Sequence, residues 1–320
     1  MHLHQIHTRG PFQMNILMTG GTGFIGQHLC RSLTRHNNQV TVLSRIPNRV
    51  PAICGPVCNG VGSIDDLGSD SEFDAIINLA GEPIIARRWT ARRKEILRNS
   101  RAGTTRKIAG LIERSATRPS VLINASAVGY YGDQGDQELD ESSPARDDFG
   151  HRLCVEWESE GQKAAAFGVR VCIIRIGLVI GEQGGFLKSM VTPFNLGLGG
   201  PISDGKQWMS WIHRDDLICI IERLLDDPSL SGVFNATTPS PATSRDFAKT
   251  LARLLGRPAI IPVPRLLLAM LLGERSMLLT GGQKALPVRL IENGFRFKYD
   301  QLEAALRQAL ERPPEPNRTG

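Results

Sequence analysis

No apolar stretch in this 320-residue chain comes near the roughly 20 residues needed to cross a bilayer, so a membrane-spanning role is excluded and no membrane partner is expected. The nearest run, Pro264 to Leu272, reads as a buried or partner-facing helix. Six cysteines stand without CxxC or Cys/His ligand spacing, which excludes a zinc site and a disulfide framework and fits a reducing cytoplasm. Residues 1–13 hold His2, His4 and His7 but no apolar signal core, so a disordered leader without a metal role is expected. There is no internal repeat. Basic residues crowd between Arg87 and Lys107, and the chain carries a net charge of +6, yet no nucleic-acid motif accompanies them. They are expected to form a solvated helix face, with one or two turned toward an anionic cofactor or substrate.

What remains is an ordinary globular composition, 41% hydrophobic and 22% charged, with one strong local signal. The apolar strand-like Ile16, Leu17 and Met18 run into Gly20-Gly21-Thr22-Gly23-Phe24-Ile25-Gly26, and a helix-like pattern follows through Leu29 and Leu33. Strand, glycine turn and helix are the context of a dinucleotide site. The glycines let the backbone approach a diphosphate, and the helix start supplies free N–H groups with the dipole behind them. At the end of the next strand, Gln39 to Leu43, the position where an NAD enzyme usually places an acid holds Ser44-Arg45. A carboxylate would repel a 2′-phosphate and a guanidinium can pair with it, so NADP(H) is the expected cofactor.

Alternating strand-like and helix-like runs predict parallel βαβ units and a doubly wound Rossmann-type α/β sheet. After a weakly patterned passage from Pro47 to Ser71, strands are expected at Asp74–Gly81, Val121–Ala125 and Val169–Ile174, with helices at Ala91–Arg114 and about Asp148–Phe167. Residues 14–180 are expected to form the nucleotide-binding core. Residues 181–310 read as a smaller, glycine-rich, substrate-side region whose segments return to the main sheet, and 311–320 as a loose tail. There, Trp211-Ile212-His213 predicts a strand entering a helix, Ser244 a cap for the helix to Leu255, and Asp300 with Glu303 a reciprocal cap for the last helix.

Beyond the fingerprint, the runs Asn78-Leu79-Ala80-Gly81-Glu82, Ser100-Arg101, Ser126 to Gly132, Trp157-Glu158, Leu196 to Pro201, Trp211 to His213 and Gly294-Phe295 resemble an atypical group of extended short-chain dehydrogenase/reductases. This is the sugar-nucleotide epimerase, or NAD-dependent epimerase/dehydratase-like, family. The resemblance spans Met14 to about Leu310. It implies that Gly20, Thr22, Gly23, Phe24, Ile25 and Gly26 wrap the pyrophosphate, that Ser44 and Arg45 contact the adenosine phosphate, and that Leu79, Ala80 and Gly81 pass the adenine and ribose. Arg101 would face the cofactor, and backbone around Val179 the nicotinamide. It also implies a homodimer through the two long helices.

Superfamily chemistry combines a serine that orients the substrate oxygen, a tyrosine that moves its proton and a lysine one helical turn later. Ser126 fits the first position. The other two fall on Phe149 and Leu153, which carry neither proton nor charge. Tyr130 or Tyr131 is the candidate replacement proton carrier, assisted by Arg152 or His213, the alternative being that the ring only shapes the substrate pocket; Cys154 is a less favoured nucleophile. Gln207 and Trp208 are candidates for a substrate wall. Two functions stay open: an NADP(H)-binding epimerase-like oxidoreductase on a small hydroxyl or carbonyl compound, including nucleotide sugars, or a catalytically degenerate regulatory or scaffold protein.

Overall fold

A computed structural model describes residues 13–68, 71–182, 184–259 and 261–311; nearly all of the expected leader and tail lies outside them. Strands are numbered in chain order. The central sheet contains β1 (Asn15–Thr19), β2 (Gln39–Leu43), β3 (Asn59–Val61), β4 (Ala75–Asn78) and β5 (Val121–Ala127), with β7 (Arg170–Ile176) and β11 (Gly232–Ala236). Its order is β11-β7-β5-β4-β1-β2-β3, every pair parallel. This is the doubly wound arrangement expected from the βαβ alternation. The order reverses between β1 and β4, which opens a crevice at the carboxyl ends of those strands.

Both faces of the sheet are covered, so the inner strands read as continuous apolar runs rather than alternating ones. Period-2 geometry sends Ile16 and Met18 to one side, where they join Leu29, Val42, Ile77 and Leu217. Leu17 goes to the other side with Ile76, Ile108, Ile112 and Leu122. Each such side chain contributes about 1.5–3 kcal/mol by leaving water.

Smaller sheets form the substrate-side region. β8 (Leu178–Ile180) pairs in parallel with β10 (Trp211–His213), and β9 (Trp208–Met209) pairs antiparallel with β12 (Ala242–Thr243). β6 (Glu138–Leu139) pairs with β13 (Lys284–Ala285). A separate core, with Phe194, Trp211, Phe247, Leu251 and Leu306, holds these segments to the helices Ser244–Leu255 and Leu302–Leu310.

Several local expectations are corrected. The long helix is Ala91–Arg98 and Thr104–Arg114 with a π-helical turn, Asn99–Gly103, between them. Thr243, not Ser244, caps the following helix by accepting from the Asp246 N–H, because the Ser244 hydroxyl already accepts from the Ile202 N–H. The last helix has no reciprocal cap: Gln301 occupies the cap position, and Glu303 is drawn to Arg253 and Arg307. The edge strand β3 had no visible pattern, since only three residues form it. The helix Arg265–Leu272 fully buries only Leu268 and turns Leu266, Leu267 and Leu271 outward.

Candidate cofactor cradle and active site

The turn after β1 depends on having no side chains at three positions. Gly20 sits at φ 72°, and a Cβ there would lie 2.6 Å from the Leu79 carbonyl oxygen at the end of β4. The Gly23 N–H closes the turn on the Gly20 carbonyl at 3.0 Å. Gly26 opens the helix Gly26–Arg35, and any Cβ on it would collide with the same Gly20 carbonyl. No side chain caps this helix and no acid stands in its first turn, so its positive dipole end is left for an external anion. Thr22 and Ile25 are half-buried within the turn. The Phe24 ring lies against Gly184 and Gly185, where side chains would strike it, and thereby joins the turn to the segment beyond β8. Val179, at the centre of β8, packs against the main core.

Arg45 projects into solvent from the end of β2, its side chain 91% exposed, and its Nη1 meets Glu82 Oε1 at 3.0 Å. Buried Ser44 stabilises the turn by accepting from the Ile46 N–H at 3.2 Å. Glu82, in the loop after β4, is thus the ion-pair partner of Arg45, a pairing that sequence reading missed. Arg93 donates to the other oxygen of Glu82 at 3.4 Å.

A buried polar belt fixes the strand ends. Thr19 Oγ1 donates to Asn78 Oδ1 at 2.5 Å and accepts from the Ala80 N–H at 3.2 Å, while Asn78 Nδ2 reaches Thr105 Oγ1 and Asn124 Oδ1. The π-helical turn then holds the loop that carries Leu79, Ala80 and Gly81. Ser100 Oγ accepts from the Glu82 N–H at 3.1 Å, and Arg101 Nη2 donates to the Glu82 carbonyl at 3.0 Å. The Arg101 guanidinium lies against Gly81, where a Cβ would come within 3.1 Å of its central carbon, and 5.3 Å from the Trp157 ring centre. Burial lowers the pKa of Arg101 from its usual value. Single extra-residue turns of this kind are often found at functional sites.

At the end of β5, Ser126 stands opposite Arg175 in the β5–β7 register. Its Oγ donates to Glu158 Oε1 at 2.6 Å. Glu158 is in turn gripped by Arg175 through two parallel bonds of 2.9 Å, Nε to Oε1 and Nη2 to Oε2. Burial opposes the charge on Arg175, but the Glu158 carboxylate more than offsets it and holds the guanidinium above its usual pKa. The face of Arg175 lies 3.3 Å from the Tyr130 ring centre. Neither Glu158 nor Arg175 was among the site residues expected from sequence; they meet only because helix Phe149–Gln162 packs over β5 and β7.

The two tyrosines separate. Tyr131 is fully buried: its hydroxyl accepts from Arg175 Nη1 at 3.1 Å and lies 2.8 Å from Asn235 Oδ1 and 2.9 Å from the Asp140 carbonyl. Burial pushes its phenol up to about 12, so Tyr131 holds the chain together rather than facing a cleft. Tyr130 is half-buried, and its hydroxyl has no hydrogen-bond partner among the described residues.

Phe149 and Leu153 form an apolar cluster with Trp89 and Leu97, the Phe149 and Trp89 rings 4.6 Å apart. Arg152 turns outward to Asp147, away from the role suggested for it. Burial raises the Cys154 thiol to about 11, which removes its nucleophilic form at neutral pH. His213 is fully buried: Nδ1 caps the helix Arg214–Asp226, Nε2 binds Gln308 Oε1 at 2.8 Å, and the ring lies 3.9 Å from that of Tyr299. Gln207 bonds to the Ile202 and Leu279 carbonyls, and Trp208 to Asp136. Among the described residues, no group of three or more His, Cys, Asp and Glu side chains could hold a metal, and no helix is long and apolar enough to cross a membrane.

Residues 16–236 match the NAD dependent epimerase/dehydratase family, and 263–309 match a domain of unknown function, DUF1731. An Arabidopsis thaliana relative, the chloroplastic homolog of epimerase family protein SDR39U1, is 40% identical over 93% of this chain and 87% of its own. The Bacillus subtilis epimerase family protein YfhF is also 40% identical, over 93% and 98%. A crystal structure of human epimerase family protein SDR39U1 (isoform 2) with NADPH aligns at a TM-score of 0.83 and 35% identity, covering 92% of this chain and 99% of that one. With its glycine turn, parallel sheet and sequence all in agreement over most of its length, the chain belongs to the NAD dependent epimerase/dehydratase family.

Proposed function

We propose that this protein is an NADP(H)-dependent, epimerase-like oxidoreductase acting on a hydroxyl or carbonyl group of a small substrate, with nucleotide-linked sugars the first class to test. The cradle suits the cofactor: the turn at Gly20 leaves backbone room for a diphosphate, and Arg45 offers a solvent-facing guanidinium to a 2′-phosphate. When bound, the nicotinamide supplies or accepts a hydride. The observation that carries the enzymatic reading is the Ser126–Glu158 bond. With its own proton committed to Glu158, the Ser126 oxygen accepts a hydrogen bond from a substrate hydroxyl and so orients the carbon beside it. Arg175 fixes Glu158 and supports the Tyr130 ring, whose unengaged phenol is the group we assign to proton transfer.

Stopped-flow measurement of NADPH oxidation across sugar nucleotides, ketones and aldehydes tests this reading. Oxidation that disappears in Ser126→Ala and Tyr130→Phe, with NADPH affinity retained, supports it. The second reading, a regulatory or scaffold protein that senses NADPH, is favoured by the apolar Phe149 and Leu153. Tight NADPH binding with no oxidation by any member of the panel selects it. All six cysteines are free thiols, five of them buried, which suits the proposed cytoplasmic setting. A homodimer through the two long helices is part of the proposal. Ile96 and Val155 are exposed on them, and light scattering returning a monomer mass removes that part.

A further inference from the structure

Helix Arg265–Leu272 shows solvent one apolar stripe: Leu266 and Met270, 72% and 62% exposed, with Leu267 and Leu271 beside them at 41% and 60%. Spacings of one and four residues place all four on a single face. Val263, just before the helix, pairs with the Pro201–Ser203 backbone through bonds of 2.9 Å, which ties the helix start to the end of the loop that bears Leu196 and Leu198, 70% and 59% exposed. An exposed apolar stripe of this kind marks an interaction site rather than ordinary solvent-facing exterior.

Its rim is basic. Arg265 begins the helix, which contains no acid, and Glu274 just beyond it is engaged by Lys94 at 2.7 Å. Arg88 Nη2 donates to the Met270 carbonyl at 3.2 Å, and Arg275 donates to the Ile85 carbonyl. These two bonds fasten the start of the basic run to the helix and set exposed Arg87 and Arg92 next to it. The start of the basic run, which the cradle leaves unused, and the leucine helix thus lie together.

We propose that this surface docks on an anionic membrane, with the leucine stripe entering the interface and the arginines meeting lipid headgroups. Charge and chemistry both select that occupant. A second copy related by two-fold symmetry would bring the same arginine rim against itself. The stripe is purely aliphatic and offers no aromatic or polar anchor of the type that dominates protein interfaces, whereas hydrocarbon requires none. The helix lies on the membrane and does not span it.

The test uses the full chain with vesicles of phosphatidylcholine, alone or mixed with phosphatidylglycerol, in a sedimentation assay. Partitioning into the anionic vesicles, suppressed by salt and absent with phosphatidylcholine alone, is expected. The double substitution Leu266→Ser with Met270→Ser should weaken it by more than about tenfold. Removing Arg87 or Arg92 by substitution with alanine should weaken it about fivefold each. Unchanged thermal unfolding and NADPH affinity verify that the variants are folded. Three results overturn the proposal: no partitioning into anionic vesicles at low salt, partitioning that survives the double serine substitution, or a dimer by light scattering that Leu266→Ser dissociates.

Discussion

The two halves of the crevice are made from opposite materials. On the β1 side the working groups are backbone, with side chains removed at Gly20, Gly23 and Gly26 so that amides come close to a ligand. On the β5–β7 side the candidate groups are polar side chains, the Ser126 hydroxyl and the Glu158–Arg175 ion pair, contributed by two strands and a helix and locked to one another. Backbone geometry tolerates almost no change of residue. A side-chain constellation can be rebuilt from different residues, and here the usual tyrosine and lysine positions have become part of an apolar cluster.

Substitution sharpens that contrast. Gly20→Ala or Gly26→Ala should have the largest effect, abolishing the heat of NADPH binding in calorimetry, because each new Cβ must displace backbone. Retained NADPH binding in both would break the comparison. Arg175→Leu leaves the Glu158 carboxylate inside without its partner and should cost about 3 kcal/mol in urea unfolding. NADPH affinity should change little in that variant.

Alkali should act on the same side of the crevice. A free phenol ionises near 10.0 and that of Tyr131 near about 12, so in this interval the unfolded chain loses its proton first. Stability contributed below pH 10 is therefore lost as pH rises toward 12, and Tyr131→Phe should flatten that part of the denaturation profile. The smallest effect belongs to the exposed guanidinium at the end of β2. Arg45→Ala should weaken NADPH about tenfold, as expected for one charge-assisted hydrogen bond, and leave NADH unchanged.

The same contrast explains what could be read from the sequence. A glycine that must sit at φ 72° against a neighbouring strand leaves its mark at one position, and the strand and helix around it show their periods locally. The parallel, doubly wound class of the sheet followed from the βαβ alternation. The Ser126–Glu158–Arg175 set left no such mark, because its spacing reflects tertiary packing of a helix on two strands. Tyr130 and Tyr131, adjacent in sequence, could not be told apart until burial placed one hydroxyl on Asn235 and left the other unengaged. Glu82 was visible as a residue but not as a partner of Arg45, since 37 positions separate them. The caps shifted for a simpler reason: Ser244 and Glu303 had stronger partners elsewhere.

The buried Asp216 carboxylate accepts the N–H groups of Lys298 and Tyr299 at 2.7 and 2.9 Å, on the helix that His213 caps, and His213 itself rests on Gln308 and Tyr299. During synthesis, that helix therefore waits for almost the entire polypeptide to leave the ribosome before its interior charge is satisfied. A chain cut short before residue 298 should emerge with a completed glycine turn yet remain a target for proteases.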